Sequence, residues 1–235
     1  MGHKIKPTSL RIGVIKDWNA RWFPKKRNFK TLLEEDVLIR KIIDDKISQA
    51  EIDRISIERV GDSVKIFIKT AKPGLIIGRG GKGIEDLTRL LEKKINNIRA
   101  LKKIKKLGGL NLNIEELKRT EISAGVIAQN IAKDLERRMP FRRVIKRQLD
   151  QILQFRGVKG AKIRVSGRLN GADIARAEVL SKGTIPLQTL RADIDYAEGT
   201  AYTTYGTIGI KVWINKGEIF NEKGEAEQKG RNKNS

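Results

Sequence analysis

The stretch Leu75-Ile76-Ile77-Gly78-Arg79-Gly80-Gly81-Lys82-Gly83-Ile84 constrains this chain more than any other, because apolar residues run into a basic, glycine-rich turn and then into a long helical pattern. Gly78 and Gly81 carry no Cβ, so the backbone there can lie against a sugar-phosphate strand while Arg79 and Lys82 set positive charge beside it. An ordinary turn between two helices has the same local composition, so the flanking elements decide. Before the turn, Leu32, Leu33, Val37, Ile39, Ile42, Ile43 and Ile47 recur at helical spacing from Thr31 to about Ala50, with Thr31 placed to cap and Glu34 three residues on. Ile52, Ile55 and Ile57 lead to a Gly61-Asp62 turn, after which Val64, Ile66 and Ile68 alternate with Lys65, Phe67 and Lys69, the pattern of a β-hairpin. Pro73-Gly74 ends that strand, Leu75 to Ile77 form a short helix, and Ile84, Leu87, Leu90, Leu91 and Ile95 mark a longer one; Leu110, Leu112 and Ile114 then read as a last strand.

The order helix, strand, strand, helix, glycine turn, helix, strand, with Gly78-Arg79-Gly80-Gly81 at the helix junction, resembles a type II KH domain, whose GxxG turn clamps a single nucleic-acid strand. Two other motifs share these glycines. Gly78-x-Gly80-x-x-Gly83 spells a dinucleotide fingerprint, but Pro73 and Gly74 separate it from the strand, and Lys102-Lys103-Ile104-Lys105-Lys106 stands where an acid should meet the ribose. Gly81-Lys82 ends like a P-loop, yet Gly83 follows in place of a hydroxyl residue and no glycine lies five positions before Gly81.

The chain holds 50 Lys and Arg against 28 Asp and Glu, a net charge of +22, which calls for a polyanionic partner, nucleic acid before membrane. It has no cysteine and one histidine, His3, which excludes disulfides, Cys/His metal sites and Cys- or His-based triads. No apolar run approaches the length of a membrane span, so a soluble, cytosolic protein is expected. The charge is concentrated: residues 1–30 hold nine basic residues against one acid, 79–106 ten against three, and 133–164 eleven against three. Residues 31–60 invert the balance, five against eight, so that element is expected to pack on protein or face water.

In the second half, Val126, Ile127, Ile131 and Leu135 form one stripe of a helix over 120–138, and Pro140 ends it and starts another. On that second helix Phe141, Ile145, Leu149 and Ile152 share a face, and at about 100° per residue Arg142, Arg143, Lys146 and Arg147 fall on the opposite arc. Lys162 to Val165, Ala192 to Tyr196 and Ile208 to Ile214 alternate like strands, giving a sheet with the helices on one side. Tyr196, Tyr202 and Tyr205 can stack on bases, but core or cross-strand packing is the commoner use in such segments. The tail from Asn221 is almost without apolar residues and is expected to be disordered.

Met1-Gly2-His3-Lys4-Ile5-Lys6-Pro7, Arg11-Ile12-Gly13, Trp18-Asn19-Ala20-Arg21-Trp22-Phe23, the KH motif, Val165 to Arg176, Thr189 to Tyr196 and Thr203 to Ile214 together resemble small-subunit ribosomal protein three of the bacterial type, over nearly the whole chain to Phe220. The fold class expected is α+β: a basic arm (1–30), a type II KH domain (31–117), a second α+β domain of two helices on a mostly antiparallel sheet (118–220), and the tail (221–235). The resemblance implies a non-enzymatic place in the head of the small subunit in the cytoplasm, binding to small-subunit rRNA, neighbouring head proteins ten and fourteen, and a share in the channel through which mRNA enters, where Arg142, Arg143 and Lys146 match the family's helicase-assisting cations. The RNA-contacting set is then Gly78, Arg79, Gly80, Gly81 and Lys82 at the turn; Arg142, Arg143, Lys146 and Arg147 on the helix; and Lys4, Lys6, Arg11, Arg21, Arg164 and Arg168 on the arm and loops, with no cofactor, no metal, no membrane and no free homo-oligomer. Residues 96–109 are longer than the family's usual connection, either an added RNA contact or an extended helix end, and Pro140 stands where a plain helix former is usual, which can change the angle of the basic helix. A free KH-type regulator or assembly factor is the alternative, and a carboxylate-metal nuclease built on Asp193 and Asp195 a third, against which acids in strands commonly pair with arginines such as Arg191 or Arg168.

Overall fold

A computed structural model describes residues 5–24, 28–102, 107–118 and 121–220. Lys4, the lysines at 103, 105 and 106, and the tail from 221 lie outside the described residues. The chain builds two four-stranded sheets, one from residues 20–116 and one from residues 160–218, each with its own core.

In the first sheet β1 (Ala20–Arg21), β2 (Ile52–Val60), β3 (Ser63–Thr70) and β4 (Gly109–Glu116) lie in that order. β2 and β3 are antiparallel about the Gly61-Asp62 turn, with Ile57 opposite Ile66 and Ile55 opposite Ile68. β4 runs parallel to β3, which requires a long crossover. α3 (Pro73–Ile77), the glycine turn and α4 (Lys82–Leu101) supply it. The hairpin alternates as its sequence demands, Val64, Ile66 and Ile68 buried and Lys65 exposed. Those residues meet Ile39 and Ile43 of α2 (Phe29–Ile47) and Leu91 and Ile95 of α4, all inaccessible to solvent. Each such side chain contributes about 1.5–3 kcal/mol of transfer free energy. α2 begins before the expected cap, so Thr31 is buried inside the helix.

The acids of α2 are placed as expected of a segment that packs on protein. Glu35 and Asp36 are buried; Arg59 donates to Glu35 at 2.6 Å and Arg99 to Glu35 at 2.7 Å, while the Trp22 indole donates to Asp36 at 2.8 Å. Two guanidiniums thus face two carboxylates in a dry site, a network that holds α2, α4, β2 and the arm in one register.

The second sheet has the order β6 (Arg176–Gly183), β5 (Gly160–Gly167), β8 (Gly206–Glu218), β7 (Ala192–Thr203), all neighbours antiparallel. α5 (Ala124–Glu136) and α6 (Phe141–Gln154) cover one face, burying Ile127, Ile131, Phe141, Ile145, Leu149 and Ile152 against Ile163, Val165, Ile210 and Val212. α5 starts later than its apolar pattern suggests because Ser123 caps it, accepting from the Gly125 amide at 3.1 Å. Val126 is accordingly only half-buried. Pro140 occupies the N-cap of α6, outside the helical ladder, so it sets the corner without kinking the basic helix. β6 is an edge strand with almost no buried residue, which is why it leaves no alternation to read.

The arm departs from expectation at Arg11. This residue is fully buried, and its guanidinium donates to the carbonyls of Ala192 (2.7 Å), Pro7 (3.0 Å), Thr189 (2.9 Å), Leu187 (3.0 Å) and Pro186 (3.4 Å). Its donors are therefore spent inside the protein, and Arg11 is corrected from an RNA contact to an internal anchor. Burial pushes its pKa down, and Asp193 opposes that shift. Further along the arm, β1 pairs parallel with β2, Ala20 opposite Ile57. The arm is thereby a strap tied to both sheets. Direct contacts add to it: Gln129 donates to the Ile52 carbonyl at 2.8 Å, Ser123 bonds Asp53, and Lys69 pairs with Glu121 at 2.7 Å.

Candidate nucleic-acid interface

The glycine turn takes its shape from residues with no Cβ. Gly78 (φ +67°), Gly80 (φ +63°) and Gly81 (φ +80°) all lie in the region that side chains disfavour. A Cβ on Gly83 would sit 2.5 Å from the Ile76 carbonyl oxygen, so the end of α3 and the start of α4 touch only because that position is glycine. The result is a tight helix-to-helix corner that exposes Gly78, Arg79, Gly80 and Lys82. No acidic partner for Arg79 or Lys82 is found among the described residues. A cavity of about 490 Å³ adjoins the corner, but two acids, Asp45 and Asp86, line it against one cation, Lys46, so phosphate is favoured less there than on the Arg79 side.

α6 presents the arc the periodicity predicts. Phe141, Val144, Ile145, Gln148, Leu149 and Ile152 are buried, and Arg142, Arg143, Lys146 and Arg147 face water. They are not equivalent. Arg147 pairs with Asp134, and Arg142 reaches Glu178 at 3.2 Å while 76% of its side chain stays exposed. Among the described residues Arg143 and Lys146 have no carboxylate within ion-pair distance. An exposed pair such as Arg142 with Glu178 contributes about 0–1 kcal/mol, so a phosphate can displace it. The arc therefore offers Arg142, Arg143 and Lys146 to a polyanion and holds Arg147 largely for α5.

The remaining basic residues divide. Arg164 is exposed on β5 with no ion pair among the described residues. Arg168 lies over the Tyr205 ring at 5.8 Å, donates to the Ala172 carbonyl at 2.9 Å and pairs with Asp173 at 3.0 Å. Lys6 pairs with Glu198 at 2.8 Å, and Arg21 bonds Asp17 and reaches Glu58 at 3.2 Å, so both arm cations serve the strap first. The tyrosines overturn a general expectation: Tyr196 packs against Trp213 at 5.2 Å, whereas Tyr202 and Tyr205 stand at the tip of the β7–β8 hairpin, 73% and 55% exposed. Sequence reasoning weighted them toward packing; the signal it lacked is the turn at Thr203-Thr204-Tyr205-Gly206, which puts Tyr205 between the strands and Tyr202 at the last rungs of their ladder.

The acid pair of the nuclease alternative is committed elsewhere. Asp193 meets Lys16 of the arm at 2.6 Å, and Asp195 accepts from the Ala124 amide at 3.1 Å with Lys216 3.4 Å away. Their partners are lysines and a helix N-terminus, not Arg191 or Arg168, and among the described residues no group of three metal-ligating side chains forms.

Comparison with known proteins agrees with this geometry. Residues 38–122 match the family described as KH domain, and residues 131–214 match Ribosomal protein S3, C-terminal domain. The chain is 47% identical over 227 residues to small ribosomal subunit protein uS3 of Staphylococcus haemolyticus, covering 97% of this chain and 99% of that one. It is 50% identical over 222 residues to the uS3 of Desulforamulus reducens (94% and 95% covered) and 48% identical over 235 residues to that of Caldicellulosiruptor saccharolyticus (99% and 100% covered). A chain with a KH glycine corner, a strapped second domain and near-complete coverage by these relatives belongs to the uS3 family of ribosomal proteins.

Proposed function

We infer that this chain is a structural, non-enzymatic constituent of the small ribosomal subunit in the cytoplasm, where it binds small-subunit rRNA and lines the channel through which mRNA enters. Relatives named small ribosomal subunit protein uS3 match it over almost their whole length, which supports the assembly. The observation that carries the mechanism is the α6 arc, where Arg143 and Lys146 lack acidic partners and Arg142 holds a weak one. A helix fixes these cations as a rigid row about one turn long, so an RNA strand passing it meets a fixed electrostatic track for its phosphates. Arg79 and Lys82 at the glycine corner, Arg164 and Arg168 supply rRNA contacts, and neighbouring head proteins ten and fourteen complete the surroundings. No bond is made or broken by this chain.

Two measurements test this function. The chain co-sediments stoichiometrically with small subunits in high salt; release at high salt would instead identify a visiting RNA-binding factor. Subunits carrying Arg142→Ala, Arg143→Ala and Lys146→Ala together assemble normally and translate unstructured messages at the usual rate, but slow at mRNA hairpins. Equal rates on structured and unstructured messages would remove the unwinding role.

A further inference from the structure

A cavity of about 370 Å³ opens at the N-terminal end of α6, between the α5–α6 corner, the turn at 169–171 and the β7–β8 hairpin. Its floor is apolar, from Leu135, Met139, Phe141 and Ile208; its rim carries Tyr205, Thr204, Asn170 and Arg168. Three features separate it from an incidental groove. Tyr205 is 55% exposed, so an aromatic face is available to a ligand. The ring is also held in place: Arg168 lies over it at 5.8 Å, and a Cβ added at Gly171, itself at φ +77°, would sit 3.1 Å from the ring edge, so glycine alone lets the turn close on it. Finally, the cavity continues the basic row, since Phe141 in its floor precedes Arg142 and Arg143, and Arg138 lines the same opening.

We propose that this cavity receives one unpaired nucleobase of the RNA strand whose phosphates lie along α6, the base stacking on Tyr205 beside the Arg168 guanidinium. A planar π system of either purine or pyrimidine type suits an aromatic face with an apolar floor, and stacking tolerates any base. Thr204 and Asn170 offer an edge of hydroxyl and amide groups to whatever polar edge the base presents. The opening is lined by Arg138 and Arg168 against Glu136, with Arg142 and Arg143 next on α6; Asp173 and Glu178 pair with Arg168 and Arg142, and among the described residues Arg138 and Arg143 have no carboxylate partner, which favours a phosphate-bearing ligand over a neutral aromatic one. This site rests on the assignment of α6 to RNA, and it adds a separate requirement: a flipped base in a defined pocket.

The test uses the full chain and a short oligouridylate carrying one central 2-aminopurine. Anisotropy reports binding and 2-aminopurine fluorescence reports stacking. The wild-type chain binds and quenches. Tyr205→Leu weakens binding roughly fivefold or more and abolishes quenching while leaving the salt slope unchanged, because no charge is lost. Tyr205→Phe keeps both affinity and quenching, which separates loss of the ring from loss of folding. An abasic site in place of 2-aminopurine costs the wild type the same factor and costs Tyr205→Leu nothing further. Binding without quenching overturns the pocket and leaves the α6 assignment standing; absence of binding overturns both. In assembled subunits bearing Tyr205→Leu, a gain of 2′-hydroxyl acylation at one rRNA nucleotide identifies rRNA as the source of the base, and lost quenching of a 2-aminopurine message identifies mRNA. If neither changes, the pocket is empty in the particle and the proposal fails.

Discussion

Removing the Arg11 side chain separates an anchoring role from an RNA-contacting one. In the folded chain five carbonyl oxygens, from Pro7, Pro186, Leu187, Thr189 and Ala192, accept from one buried guanidinium, four of the contacts falling between 2.7 and 3.0 Å. A hydrogen bond to a charged donor contributes about 1.5–3 kcal/mol net, but bonds that share one group do not add, and water entering the vacated space satisfies some of the oxygens. The closest precedent is the removal of one partner from a buried charged cluster, about 3–5 kcal/mol. Arg11→Ala is therefore expected to lower the thermal midpoint by about 6–20 °C, at roughly 2–4 °C per kcal/mol for a chain of this length. Arg11→Lys recovers only part of the loss, because an ammonium has three donors and no planar fork to span carbonyls on both sides. Differential scanning calorimetry measures the shift. RNA binding measured well below the midpoint keeps its salt slope, since the lost charge never faced phosphate. If Arg11→Ala melted within about 2 °C of the wild type and its salt slope fell by about 0.7–0.9, the signature of one lost phosphate contact, the anchor would be refuted and an RNA contact restored.

Three further outcomes are expected. Gly83→Ala destabilises by about 1–3 kcal/mol in urea titrations, because its Cβ would meet the Ile76 carbonyl oxygen at 2.5 Å, whereas Gly74→Ala, with nothing within 4 Å, is neutral or stabilising as usual for a helical glycine. Glu35→Ala removes the carboxylate shared by Arg59 and Arg99 and costs about 3–5 kcal/mol, read from the same titrations; a loss below about 1 kcal/mol would show the cluster to be dispensable. The third concerns pH: Lys6 above all, then the Tyr196 hydroxyl, holds the Glu198 carboxyl down from 4.5 to about 2. A depressed folded pKa means stability that is complete above 4.5 and lost as pH falls toward 2; Glu198→Gln flattens the stability profile in that window, and high salt shrinks the difference because Glu198 is partly exposed.

The parts of the fold legible in the sequence are those governed by local period. The β2–β3 hairpin follows from alternation about Gly61-Asp62, and the α6 arc from the 3.6-residue repeat, because in both cases one face must be buried whatever it packs against. Arg11 was illegible for the opposite reason: four of its five carbonyl partners lie 175 to 181 residues away, and nothing local distinguishes an arginine that will be buried from its basic neighbours. The buried carboxylates did leave a trace. Glu35 precedes Ile39, Ile43 and Ile47 at intervals of four, so an acid heads the apolar stripe, and an acid there demands a buried cation. Edge strand β6 and the hairpin-tip tyrosines left none, since neither is held by a buried face.

A net charge of +22 therefore overstates what an RNA strand can meet. Arg11, Arg59 and Arg99 are consumed in the interior, Lys6, Lys16 and Arg21 tie the arm to acids of both sheets, and Arg147 is held by Asp134. Among the described residues the cations left without a carboxylate partner include Arg79 and Lys82 at the glycine corner, Arg143 and Lys146 on α6, and Arg164 on β5. Internal pairing sharpens the interface, because a cation already facing a carboxylate attracts a phosphate less than an unpaired neighbour does. The strap has the same effect by mechanical means. Because β1 is fixed to the first sheet and Arg11 to the second, an RNA strand that touches both the glycine corner and α6 finds them on one connected body, and the ordering entropy of bringing two basic surfaces together is spent at folding and not at binding.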